Sequence, residues 1–124
     1  MAVANELLAV TYVAGEAIGL GVGVMMSTAA AKTVLIATSS EKCIGYTEMA
    51  VASGAACPVV LAGRVKVRTG AAIATPGVDL TVAADGRSIA ATAGLFVIAR
   101  AEEAATGADM YISALIAHKP GAFV

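Results

Sequence analysis

AGEAI at Ala14 to Ile18 returns as TGAAI at Thr69 to Ile73. Working outward from this pair, the two halves stay in step with small gaps. Ala29, Ala30, Leu35, Ala37 and Thr38 pair with Ala83, Ala84, Ile89, Ala91 and Thr92, and SGAACPVV from Ser53 recurs as TGADMYIS from Thr106. A weak apolar repeat with a period near half of 124 residues is the pattern of a scaffold built from two similar units. Catalytic constellations are seldom written twice in this way.

The repeated segments read as β. Alanine supplies about a quarter of the residues and favours helix, but Gly, Thr, Val and Ser interrupt it too often to sustain a helical period over ten residues. Short runs rich in Val, Ile, Leu, Thr and Tyr fall at 8–13, 22–27, 34–38, 43–49, 59–67, 78–83, 88–91, 95–101 and 110–117, most of them separated by turn signals. Asp85-Gly86, between LTVA and SIAA, predicts a type I′ hairpin, whereas Ala31-Lys32 in the first half predicts a longer turn or one of another type. Pro76-Gly77 has type II chemistry, with Leu20-Gly21 as its counterpart. Gly54 and Gly107 are expected at shared corners, and short helical turns at 48–52 and 102–105.

The expected fold is therefore all-β, a small barrel or sandwich of two similar β units. Its divisions are an N-terminal arm and first strand at 1–13, a first repeat at 14–68, a second at 69–117 and a tail at 118–124, together forming one compact domain. The arms at either end are expected to become ordered on a partner.

Composition narrows the function. Hydrophobic residues make up 59 % and charged residues 14 %, so a lone copy has few polar groups to cover itself and association with further copies is expected. A net charge of −1 argues against general affinity for nucleic acid or anionic lipid. The longest weakly charged stretch, 7–26, carries Glu16 among four glycines and does not read as a membrane span. The N-terminal residues lack the basic start of a secretory signal.

Candidate chemistry is sparse. Cys43 and Cys57 are fourteen positions apart, without a CxxC pair and with His118 as the single histidine, so no zinc ligand set is expected; both read as reduced thiols serving as small hydrophobes, with a disulfide as the alternative. Gly19, Gly21 and Gly23 miss both the Walker and the dinucleotide spacing. Glu102-Glu103, or Glu41 with Glu48, have nothing nearby to differentiate their acidities as acid–base work requires. No catalytic, cofactor or metal site is expected. The strongest charged feature is Arg64, Lys66 and Arg68 alternating with Val65 and Val67, which puts three cations on one face of a strand and both valines in the core. That stripe fits either a partner's acidic patch or nearby phosphates, or a solvated edge whose charges block aggregation.

The order AGEAI, CIGYTEMAVASGAACPVVLAGRVKV, TGAAI, PGVDLTVAADGRSIAATA and ATGADMYISALI resembles the small capsid cement, or head decoration, proteins of tailed phages. Ile44-Gly45, Gly54 and Gly63-Arg64-Val65 sit where that family's pattern places them, and the resemblance covers about residues 14–116. It implies a non-enzymatic protein of the virion, made in the host cytoplasm, which binds the outside of the shell and bridges major capsid subunits. It also implies a homo-oligomer, usually a trimer, with a dimer as the other state. Arg64, Lys66 and Arg68 are then the candidate capsid contact. A β-rich binding module of a phage tail or cell surface is the alternative from a different class.

Overall fold

The computed structural model describes residues 8–39, 42–91 and 96–119. Ten strands follow one another: β1 (Leu8–Ala14), β2 (Gly23–Met26), β3 (Thr33–Ile36), β4 (Cys43–Thr47), β5 (Ala56–Ala62), β6 (Arg64–Arg68), β7 (Asp79–Val82), β8 (Ser88–Ala90), β9 (Val97–Ala101) and β10 (Tyr111–Lys119). No helix occurs among the described residues, so the short helical turns expected at 48–52 and 102–105 are absent. Glu48 and Glu102 instead follow the ends of strands, where the chain bends back.

β1 to β5 close into a barrel in the order β1-β3-β2-β4-β5, and β6 to β10 form a sheet in the order β6-β10-β9-β7-β8. The two orders are the same sequence of pairings. β1 pairs antiparallel with β5 and parallel with β3, and β6 pairs antiparallel with β10. The parallel contact of the second unit shrinks to one bridge, Thr69 to Ser88. The bridge Ile18 to Val51 likewise returns as Ile73 to Ala105. The all-β architecture of two similar units is therefore the one the sequence predicts.

The boundary between them lies elsewhere. The apolar run at 59–67 reads as one strand, but Gly63 adopts φ 102° and breaks it into β5 and β6, which belong to different units. β1 accordingly opens the first unit, and β6 opens the second instead of ending the first. Only glycine takes that left-handed backbone without steric cost, so a single residue turns the chain from one unit into the next.

Among the described residues the core forms two apolar clusters. Ala14, Ile18, Val22, Val24, Val34, Cys57 and Val59 pack inside the first barrel. The second cluster joins Val65, Val67, Leu80, Ile112 and Ala114 to Tyr46, Val60 and Cys43 of the first unit, so the flank of the barrel plugs the open sheet. Burying a side chain of this size stabilises by about 1.5–3 kcal/mol, and the shared cluster is what holds the units together. Tyr46 is fully buried there, and Ser88 Oγ lies 3.1 Å from its hydroxyl.

The β7–β8 hairpin also spans the units. Its turn is not type I′, because only Gly86 has positive φ (81°) and Asp85 does not. Gly86 N–H donates to Ala83 O at 2.9 Å and Ala83 N–H to Arg87 O at 2.8 Å, the pattern of a type I turn closed by a left-handed glycine. Gly86 O then accepts from Gly23 N–H at 2.9 Å, seating the tip on the first barrel.

Candidate functional site

β6 carries the basic stripe as its alternation predicts. Val65 and Val67 are buried, Arg64 and Lys66 exposed and Arg68 half-buried. Its partner β10 sets Leu115 opposite Arg64, Ser113 opposite Lys66 and Tyr111 opposite Arg68. The resulting face interleaves cations with two large exposed side chains, Tyr111 and Leu115.

The stripe is not a free positive patch. Arg64 grips Glu102 with two contacts, Nε to Oε1 at 2.9 Å and Nη2 to Oε2 at 3.2 Å. Arg68 Nη2 lies 3.0 Å from Asp109 Oδ1, which Arg87 Nη1 also meets at 2.8 Å. Arg87 Nε in turn reaches Asp85 Oδ2 at 2.7 Å. Lys66 has no ion pair among the described residues, although its charge is felt by Glu103. Glu102 and Asp109 lie 38 and 41 positions from Arg64 and Arg68 of the stripe, so no local spacing announced them. Both come into reach because β10 returns beside β6 and they lie in the segment that joins β9 to β10.

The acidities follow this geometry. Asp109 is held below the usual carboxylate range first by the Arg87 hydrogen bond and then by the charges of Arg68 and Arg87. For Asp85 desolvation pushes upward, but the Arg87 backbone N–H, its side chain and its charge together bring the carboxyl below its ordinary value. Glu103 is lowered chiefly by the Ser113 N–H at 2.9 Å. All three carboxylates are thus ionised at neutral pH and bound into structural pairs. Burial pushes the Cys43 thiol up to about 12 and raises Cys57 as well, which leaves both as protonated, unbridged thiols. Glu16 accepts the Ile36 N–H at 3.0 Å and so braces β3.

The corner glycines are paired differently from the sequence alignment. Gly54, at φ 85°, donates to Ala14 O, and the residue making the equivalent bond to Thr69 O is Asp109, at φ 63°. Gly107 sits two residues earlier. The same aspartate therefore turns the chain and receives two arginines. The type II turns do correspond: Gly21 N–H donates to Thr47 O, and Gly77 N–H to Ala101 O. Beside the stripe, Leu20, Glu48, Val60, Arg64, Val65 and Lys66 line a cavity of ≈ 330 Å³ at the junction of the units. Among the described residues no cluster of His, Cys, Asp and Glu could hold a metal ion. His118 and Lys119 lie at the end of β10, where only the backbone is described. Of the expected arm and tail, Leu8 to Val10 belong to β1 and His118 and Lys119 to β10, while 1–7 and 120–124 fall outside the described residues.

The fold recurs in a solved structure. The chain matches the N base of head fiber gp8.5 from bacteriophage phi29 with a TM-score of 0.73, over 90 % of this chain and 95 % of that one, at 17 % sequence identity. At this identity the likeness is one of fold. No family model matches the sequence, and no curated protein does.

Proposed function

We propose that the chain is a structural protein of a phage head, binding the outer surface of the shell and bridging neighbouring major capsid subunits without catalysing a reaction. The observation that carries this reading is the likeness of fold, over nearly the whole of both chains, to the base of a head fiber. The resemblance of the repeat to head decoration proteins supports it independently. The protein then acts on the virion after synthesis in the host cytoplasm, as a homo-oligomer for which a trimer is the state the resemblance implies. The internal repeat suits the role, since two like units offer a shell two similarly shaped surfaces. Each contact need supply only a few kcal/mol, because copies distributed over a shell act by multivalency.

Sedimentation with purified empty capsids tests this. The protein is expected to pellet with the shells and to saturate; recovery in the supernatant at all ratios would favour a tail or cell-surface module. For Arg64, Lys66 and Arg68 the reading is a contact face whose internal ion pairs hold the arginines in register for a partner. Reversing Arg64 and Arg68 to Glu is expected to lower shell occupancy and weaken its salt dependence while the fold is kept, because exposed ion pairs contribute little to stability. Unchanged occupancy would leave the stripe as a solvated edge.

A further inference from the structure

The edge of β6 that faces the first unit has backbone groups to spare. Gly63 O accepts from Ile116 N–H of β10, and the register Leu115 to Arg64 then gives the bonds with β10 to Val65 and Val67. The N–H and C=O of Arg64, Lys66 and Arg68 point the other way. Arg68 N–H is met there by Gly21 O at 2.9 Å, and Lys66 O is closed off, since a Cβ at Gly21 would stand 2.9 Å from it. Among the described residues no backbone group meets Lys66 N–H or Arg64 O. These two groups flank Val65, and both residues line the cavity of ≈ 330 Å³ at the junction of the units.

The cavity is apolar inside and charged at its lip. Val60 and Val65 are buried in its wall, with Leu20 half-buried beside them. Thr47 is fully buried there, but its hydroxyl already donates to Gly19 O at 2.6 Å and accepts from Val22 N–H at 3.2 Å. An aliphatic side chain entering the cavity therefore leaves no polar group of this wall unpaired. At the lip Arg64 is gripped by Glu102, which leaves Lys66 as a cation without an ion pair among the described residues. Glu48 lies on the wall of the first unit and disfavours a second acid on that side. The charge that complements this lip is a single carboxylate beside Lys66.

We propose that an extended segment of a partner protein adds to this edge as a short parallel strand, with an aliphatic residue opposite Val65 and an acidic residue directly after it. In parallel pairing one residue bridges both spare groups, its N–H donating to Arg64 O and its C=O accepting from Lys66 N–H. The side chain of that residue lies on the same face as Val65 and enters the cavity. The next residue lies on the face of Lys66, where its carboxylate meets the ammonium, and Gly21 ends the added strand beyond it. The fold already uses this edge in the same way: β1, the strand equivalent to β6, takes β3 as a parallel neighbour along it, with Val13 N–H donating to Lys32 O at 2.9 Å and Gly15 N–H to Val34 O at 2.8 Å. The inference deepens the reading of Arg64 to Arg68 as a contact face, on which it rests, by stating the chemistry of the partner.

Nuclear magnetic resonance titration of the isotope-labelled chain, without shells, tests this with the peptide acetyl-Ser-Thr-Leu-Glu-Ser-amide. Saturable shifts of the Val65, Lys66 and Leu20 amides are expected, with a dissociation constant on the order of 1 mM from so few contacts. Replacing the leucine of the peptide by glycine, replacing its glutamate by lysine, or methylating the leucine nitrogen is each expected to weaken binding about tenfold or more. Lys66→Glu is expected to weaken binding of the first peptide alike and to restore affinity for the lysine peptide. Should that variant fail to fold, Lys66→Gln replaces it, with the loss and without the rescue. No saturable shift at these residues up to about 10 mM peptide, equal binding of the glycine or N-methylated peptide, or a Lys66 variant that binds like the unmodified chain would overturn the proposal. Shifts of the same amides on diluting the chain alone would assign the edge to a second copy and overturn it equally. A chain that pellets with shells yet ignores the peptides loses this inference alone, whereas one that binds the peptides but stays in the supernatant with shells loses only the shell reading.

Discussion

Lys32 and Gly86 hold the same place in their units, each being the left-handed residue that ends the hairpin between the second and third strands, at φ 54° and 81°. In the first unit the loop is longer. Ser27 N–H donates to Thr33 O, and Ser27 Oγ accepts from the backbone of Ala29 and Ala30. A lysine there bears the Cβ clash that glycine avoids, so Lys32→Gly is expected to raise stability by about 0.5–1 kcal/mol, read as a higher denaturant midpoint. Tyr46 is the opposite case, a polar group deep in the shared core. Its hydroxyl is held far above the ordinary tyrosine range by burial and stays protonated. Tyr46→Phe removes the buried partner of Ser88 Oγ and is expected to cost about 1–2 kcal/mol in chemical denaturation.

Asp109 ties three elements together, since its turn precedes β10 while its carboxylate holds arginines from β6 and from just before β8. Its folded acidity, with those of Asp85 and Glu103, lies below ordinary values of 3.8 and 4.5. Stability from these pairs is present above the unfolded values and lost as pH falls through the lower folded ones. Because the groups are exposed, the effect is modest and screened by salt. Asp109→Asn, which tolerates the left-handed backbone, is expected to flatten the fall in Tm below about pH 4 and to make Tm less sensitive to added salt. Such elements were legible in sequence only where local pattern determined them. The alternation from Arg64 to Arg68 and the Pro76-Gly77 turn carry their own instructions. The acids that answer the arginines do not, because strand pairing across about forty residues brings them in. The left-handed role of Asp109 was hidden by Gly107, which invited alignment with Gly54, and the break at Gly63 by the valines on either side.

The two units share one of the two apolar clusters, and the β7–β8 hairpin is the clearest evidence of how tightly they are joined. A Cβ at Gly86 would stand 2.6 Å from Val22 Cγ1, 2.8 Å from Ile36 Cγ2 and 3.0 Å from Gly23 O. Gly86→Ala therefore adds a strained backbone to an overpacked contact and is expected to cost about 2–4 kcal/mol. Unfolding followed by both fluorescence and circular dichroism should remain a single coincident transition, since the core of the second unit is completed by Cys43, Tyr46 and Val60 of the first. The duplicated arrangement was visible in sequence, but the plugging of one unit by the flank of the other was not, because Tyr46 and Val60 read as ordinary strand residues until the sheets meet. Gly63 has a topological consequence too. Leu8 pairs with Ala62, and Ile116 N–H donates to Gly63 O at 2.9 Å, so the first strand and the last converge on the residue that joins the units. A short linker between them, with a new opening at the exposed corner around Gly54, would give a circular permutant that keeps every strand pairing.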